Sequence, residues 1–163
     1  MLHVLFVCTG NTCRSPMAKG IYEELSRKHG IVSIFSSAAL GFSNGQPASE
    51  KAVEVCKEIG IDISEHRSRT IKEYDLGYAD LFVVMTENHA ETLLGIGIPK
   101  EKIHILGGGI PDPYGSDLST YRQCRDKIVD GIEELCKLIS QNKRFLQAEK
   151  SRRKNQEARW GHD

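Results

Sequence analysis

The stretch Cys8-Thr9-Gly10-Asn11-Thr12-Cys13-Arg14-Ser15-Pro16 places a thiol, a guanidinium, several small polar side chains and a helix-starting proline within nine residues. Between a strand and a helix, such a turn points successive backbone N–H groups inward, forming a cradle for an anion. The helix N-terminus adds positive potential. Gly10 permits close backbone approach, and the planar fork of Arg14 can grip two oxygens of a phosphate. A cysteine at the base of this cradle is favoured as a thiolate, aligned to attack phosphorus, with Ser15 able to donate a hydrogen bond to it. Cys-x5-Arg spacing alone is weak evidence, and a cysteine at a strand end is ordinarily a small buried hydrophobe. The combination of strand, helix, Gly, Asn, Ser and Pro is what points to anion chemistry. A Walker-type nucleotide loop is excluded, because no Gly-Lys-Ser/Thr follows.

The surrounding sequence alternates strand-like and helix-like segments. Residues 2–7 form a continuous apolar run and read as a buried strand. Pro16, Met17, Ile21 and Leu25 predict a helix to about Lys28, stopped at Gly30. A second strand is expected at 31–36 and a polar loop at 40–47. A helix is expected over 49–59, with Ala52, Val53, Cys56 and Ile59 on one face. Residues 64–73 read as irregular, 79–85 as a third strand, 87–94 as a helix and 102–106 as a short fourth strand. A Gly/Pro loop covers 107–116. Asp117 can then cap a final helix with Tyr121, Cys124, Ile128, Ile132, Leu135 and Ile139 as its apolar stripe. Strand then helix, four times over, predicts an α/β fold: three layers, with a four-stranded parallel sheet between helices. Crossovers should be right-handed. Ligands of such sheets bind beyond the C-terminal strand ends, near a switch point. That rule brings the 8–15 turn and the 107–116 loop to one place.

The chain has 163 residues, 39% apolar and 27% charged, as expected of one globular domain. It contains no apolar run long enough to span a membrane, and its apolar start fits a first strand better than a signal peptide. Five cysteines, an odd number, argue against a secreted disulfide framework and for a reducing cytoplasm. No Cys-x2-Cys pair occurs, so no structural metal is expected. Net charge is zero but unevenly spread. Residues 143–163 carry seven Lys/Arg against three Asp/Glu, leaving residues 1–142 with 15 against 19. The expected organisation is a domain over 1–142 and a basic tail or helix extension over 143–163. That tail reads as a solvated extension, with contact to an acidic partner as the alternative. Few aromatics interleave its charges, so nucleic-acid binding is not expected.

The segment FVCTGNTCRSPMA resembles the signature of the low-molecular-weight protein tyrosine phosphatases, a family that includes bacterial protein arginine phosphatases and some arsenate reductases. The resemblance runs from Leu2 to about Leu138. The family's second signature, Asp-Pro-aromatic, is matched by Asp112-Pro113-Tyr114. It implies a phosphatase of phosphorylated proteins working without metal or organic cofactor. Cys8 would be the nucleophile, forming a phosphocysteine. Arg14 and the backbone of Thr9, Gly10, Asn11, Thr12 and Cys13 would clamp the phosphate or another oxyanion. Asp112 would be the general acid that later activates water. Asn11, Ser15, Ser37 and His66 would support the loop. Alone, Ser37 is a strand-end serine and His66 a loop histidine. Cys13 resembles a second loop cysteine able to cap an oxidised nucleophile, or is simply a packed thiol.

Two departures bear on the substrate. Thr12 stands where tyrosine-directed members usually carry an aliphatic residue, and resembles the arginine-directed branch. Tyr114 is followed by Gly115 rather than a second aromatic, so one wall of a phenol sandwich is missing. Met85-Thr86 and Ser43-Asn44-Gly45 also look like the arginine branch. A polar Thr12 suits a hydrated guanidinium better than a phenyl ring. Phosphoarginine is therefore the favoured expectation, with phosphotyrosine as the alternative. Arsenate reduction needs further resolving cysteines, and none lies between Cys56 and Cys124. A non-catalytic phosphate-binding module would be expected to lose the nucleophile, arginine or acid, and all three are present.

Overall fold

The computed structural model describes residues 1–141, so the basic segment 143–163 lies outside the described residues. Four strands, β1 (Leu2–Cys8), β2 (Ser33–Ala39), β3 (Leu81–Val84) and β4 (Ile103–Ile105), form one sheet in the order β2-β1-β3-β4. Every pairing is parallel. The chain leaves β1 to one side for β2 and returns to its other side for β3. The sheet order thus reverses beside β1, at whose C-terminal end the Cys8 loop begins.

Among the described residues, five α-helices accompany the sheet: α1 (Arg14–Lys28), α2 (Glu50–Lys57), α3 (Glu73–Tyr78), α4 (Glu87–Gly95) and α5 (Leu118–Gln141). Alternate residues of the central strands feed two separate cores, as the two-residue pleat requires. Val4, Phe6, Leu81 and Val83 pack with α1, α2 and α5. Leu5, Val7, Phe82 and Val84 pack with Ala90 and Leu93 of α4 and with Leu76 of α3. The three-layer expectation is met.

All six predicted stripe residues of α5 are buried. Each aliphatic member contributes on the order of 2 kcal/mol through removal from water. Asp117 caps the helix, its Oδ1 accepting from the Thr120 N–H at 2.9 Å. Gly131 matters to the site indirectly. A Cβ there would lie 2.9 Å from Leu106 Cγ. Its absence lets α5 press against the turn from which the Asp112 loop departs.

Several boundaries differ from expectation. β2 begins and ends later than residues 31–36. Its Ser-Ala-Ala end has weak strand preference, but pairing with β1 carries it on until Ala39 lies beside Cys8. The short helix α3 fills the stretch left unassigned between the expected irregular segment 64–73 and the expected strand 79–85; Asp75 fixes its first turn by accepting from the Lys72 N–H at 2.8 Å. α2 ends at Lys57, which leaves Ile59 exposed rather than on the apolar face, where Val55 sits instead. No helix among the described residues is long and apolar enough to cross a membrane.

Candidate active site

α1 begins at Arg14, and its N-terminus has neither a side-chain cap nor an acidic residue in its first turn. By contrast, α2 and α4 are capped by Ser49 and Thr86 and carry Glu50 and Glu87. The first-turn N–H groups and the positive end of the α1 dipole thus meet neither a capping side chain nor a first-turn carboxylate, an arrangement that suits an anion. Pro16, third in the helix, costs no hydrogen bond there.

The preceding turn is tightly specified. Asn11 is fully buried at φ 58°, a left-handed conformation that asparagine tolerates better than most residues. Its backbone N–H donates to Cys8 Sγ at 3.2 Å, and its Nδ2 donates to Ser15 Oγ at 2.8 Å. Its Oδ1 accepts from the Arg69 N–H at 3.1 Å, which fixes the amide orientation. Because Ser15 Oγ accepts from Asn11, its own hydrogen is available to Cys8 Sγ, 3.0 Å away. Two donors thus converge on the sulfur, an arrangement suited to a thiolate.

His66 Nε2 lies 2.7 Å from the Asn11 carbonyl oxygen. A carbonyl only accepts, so Nε2 carries the hydrogen. Burial holds the His66 ring below its usual titration range, opposed by that same hydrogen bond. Leu40 and Gly41 donate their N–H groups to the Cys8 and Thr9 carbonyls at 3.0 and 3.1 Å, tying the 40–47 loop to the cradle.

Arg14 is buried, with Nη1 donating to the Ile110 carbonyl at 3.0 Å and Nη2 3.6 Å from Asp112 Oδ2. The Ile110 N–H in turn donates to the Met85 carbonyl at 2.7 Å, at the end of β3. Two loops a hundred residues apart in sequence meet here, as the strand ends require. The Asp112 side chain is 51% exposed, and its Oδ1 accepts from the Tyr114 N–H at 3.1 Å. A cavity of about 210 Å³ is lined by Cys8, Thr9, Gly10, Thr12, Cys13, Arg14, Asp112 and Tyr114. The structure thus brings the sequence-selected nucleophile, guanidinium, acid and specificity position to one opening.

The remaining candidates stand nearby in different ways. Cys13 packs with its Sγ 3.5 Å from Ser49 Oγ and 3.4 Å from Tyr121 Oη. All five cysteines are free thiols. Ser37 is buried on β2 opposite Phe6, and among the described residues its side chain makes no hydrogen bond to the loop.

Several participants were not read from the sequence. Arg69 pairs with buried Asp75 through two bonds of 2.8 and 2.9 Å while holding Asn11. Tyr121, already placed on the α5 stripe, turns out to reach the loop, and burial pushes its hydroxyl up to about 12. Phe42 stands 93% exposed next to Gly41, whose N–H donates to the Thr9 carbonyl. His89, in the first turn of α4, bonds Thr9 Oγ1 at 2.9 Å. The only available signals were weak: an arginine six residues before an aspartate, and a histidine three residues after a capping threonine.

Burial holds His66, His89 and His104 below the ordinary 6.5, with His89 lowered to about 4 by burial and then by Arg14. The unfolded chain therefore binds more protons than the folded one as pH falls from about 6.5 toward 4. Stability declines over that window and is fully present above it. His89 alone contributes at most about 1.4 kcal/mol per pH unit. Denaturant titrations at pH 7 and pH 5 should show this loss, and His89→Gln should flatten it. An equal slope in the variant would contradict the assignment.

Comparison with known proteins places this geometry. The sequence profile described as low molecular weight phosphotyrosine protein phosphatase matches residues 3–145. The chain is 31% identical to the protein-arginine-phosphatase of Bacillus subtilis (strain 168), over 88% of this chain and 100% of that protein. It is 29% identical to the low molecular weight protein-tyrosine-phosphatase YfkJ of the same organism, over 89% of this chain and 100% of that protein. Among solved structures, a low molecular weight protein tyrosine phosphatase from T. tengcongensis is 40% identical with a TM-score of 0.78, covering 84% of this chain and 99% of that one.

Proposed function

The chain belongs to the low-molecular-weight phosphotyrosine protein phosphatase family, and from that premise we propose that it hydrolyses phosphoarginine in proteins through a phosphocysteine at Cys8. The family's cysteine-based phosphatase chemistry gives the reaction class. In the proposed first step the Cys8 thiolate attacks phosphorus, an S–P bond forms and the P–N bond breaks. The leaving guanidine nitrogen takes the proton of Asp112 in its acid form. In the second step Asp112 accepts a proton from water, the water oxygen attacks phosphorus and the S–P bond breaks. Phosphate leaves and the thiolate is restored. Arg14 and the N–H groups of the loop match the equatorial oxygens in both transition states.

The observation that carries the substrate choice is Thr12. It lines the same cavity as Cys8, Arg14 and Asp112 as a half-buried polar residue. A hydroxyl and a methyl there suit a planar, hydrated guanidinium, whereas an aliphatic side chain would offer a phenyl ring more apolar contact. The similarity to named arginine phosphatases supports the same reading. One observation favours phosphotyrosine instead. Tyr114, 77% exposed, lines the cavity, and a second aromatic, Phe42, 93% exposed, follows Gly41, whose N–H donates to the Thr9 carbonyl.

Matched phosphoarginine and phosphotyrosine peptides decide between them. The expected result is faster phosphate release from phosphoarginine, with Thr12→Ile moving the ratio of kcat/KM at least roughly tenfold toward phosphotyrosine, the scale of one or two lost polar contacts. Preference for phosphotyrosine in the wild type would overturn the substrate assignment and leave the Cys8 chemistry standing.

A further inference from the structure

His89 is 6% exposed, and its Nδ1 has no hydrogen-bond partner among the described residues. Its Nε2 lies 2.9 Å from Thr9 Oγ1. Two tautomers fit that contact. With hydrogen on Nδ1, the ring would bury an unpaired N–H donor, a rare and costly state. With hydrogen on Nε2, the buried orphan is a bare lone pair, and the nearby Arg14 cation tolerates a lone pair far better than an N–H dipole. The second tautomer makes His89 the donor and Thr9 Oγ1 the acceptor. The Thr9 hydroxyl hydrogen is then released from the protein. Thr9 is exposed and lines the 210 Å³ cavity, so that hydrogen is free to point into it.

We propose that His89 is a positioning residue that turns the Thr9 hydroxyl into a side-chain hydrogen-bond donor for the bound phosphoryl group, in addition to the backbone donors of the cradle. The inference rests on the phosphate-site reading above and adds two side chains to it. Three features make the arrangement stiff. The ring is buried, its backbone N–H donates to Thr86 Oγ1 at 3.2 Å, and the Thr9 carbonyl is held by Gly41. Burial and Arg14 keep the imidazole neutral across the range in which phosphatases work, so the donor pattern does not change with pH there. A protonated ring would keep the same Nε2–H bond but place a second cation beside Arg14.

The test uses the full chain, a p-nitrophenyl-type aryl phosphate and inorganic phosphate as competitive ligand. Thr9→Val removes the hydroxyl at nearly constant shape. His89→Leu removes its partner, and His89→Gln keeps an N–H donor near the Nε2 position. Thr9→Val and His89→Leu should each weaken inorganic phosphate binding and lower kcat/KM roughly tenfold, the cost of one hydrogen bond to a charged group. The double variant should be no worse than Thr9→Val, because the histidine acts only through the threonine. His89→Gln should recover most of the loss. Phosphate binding by Thr9→Val equal to wild type, or losses that multiply in the double variant, would overturn the proposal. If His89→Leu does not fold, Thr9→Val and His89→Gln still decide it. A wild type that neither binds phosphate nor turns over the aryl ester sinks the phosphatase reading, and this inference with it. Wild-type turnover with an indifferent Thr9→Val sinks this inference alone.

Discussion

Cys8→Ser should abolish turnover of every phosphorylated substrate, by at least about 10⁴-fold, while phosphate still binds. The sulfur sits at the C-terminal end of β1, buried, and receives the Asn11 N–H and the Ser15 hydroxyl. Those two donors stabilise an anion, and sulfur ionises where a serine hydroxyl does not. The proposed cradle is backbone and Arg14, neither of which the substitution touches. Serine oxygen accepts from the same two donors, so the fold should lose no more than about 1–2 kcal/mol. Activity lost together with phosphate binding would instead indicate a collapsed loop. Activity retained would remove the nucleophile from the account.

Asp112→Asn should cost the second-largest amount, about 10²–10³-fold in kcat on peptide substrates, and distinctly less on an aryl phosphate with an acidic leaving group. Asp112 stands at the cavity rim, half exposed, where a leaving group and then a water can reach it. Asparagine keeps the turn, because its side-chain oxygen can still accept from the Tyr114 N–H. It loses the transferable proton and the 3.6 Å contact with Arg14, whose other anchor at the Ile110 carbonyl remains. Dependence on the leaving group separates the two losses. A missing proton hurts a poor leaving group most, whereas a displaced arginine hurts all substrates alike. Equal loss on peptide and aryl phosphate would assign Asp112 to holding Arg14 rather than to acid catalysis.

The sheet and its main helices were legible because apolar runs and helical periodicity report burial directly. The placement of the 8–16 loop was legible for a different reason: its residues are contiguous between a strand and a helix, and strand topology alone brings the 107–116 loop to it. What escaped was set by long-range geometry. β2 extends through Ser-Ala-Ala because β1 lies beside it, not because those residues favour strands. Arg69, Tyr121 and His89 reach the loop from 58, 108 and 80 positions away from their partners Asn11, Cys13 and Thr9. No periodicity announces such bonds. The orphan Nδ1 of His89 is visible only once burial and every partner are known. Ser37 marks the opposite limit, since the residue is near the loop and buried but reaches it through no side-chain hydrogen bond among the described residues.

The most direct test of the central claim mixes wild-type protein with excess phosphoarginine peptide, quenches within the first turnover, and maps the phosphoryl group by mass spectrometry. The expected result is one phosphoryl group per chain, on Cys8, absent from Cys8→Ser and gone once substrate is exhausted. Free phosphate released with no phosphorylated cysteine, or label on another residue, would contradict it.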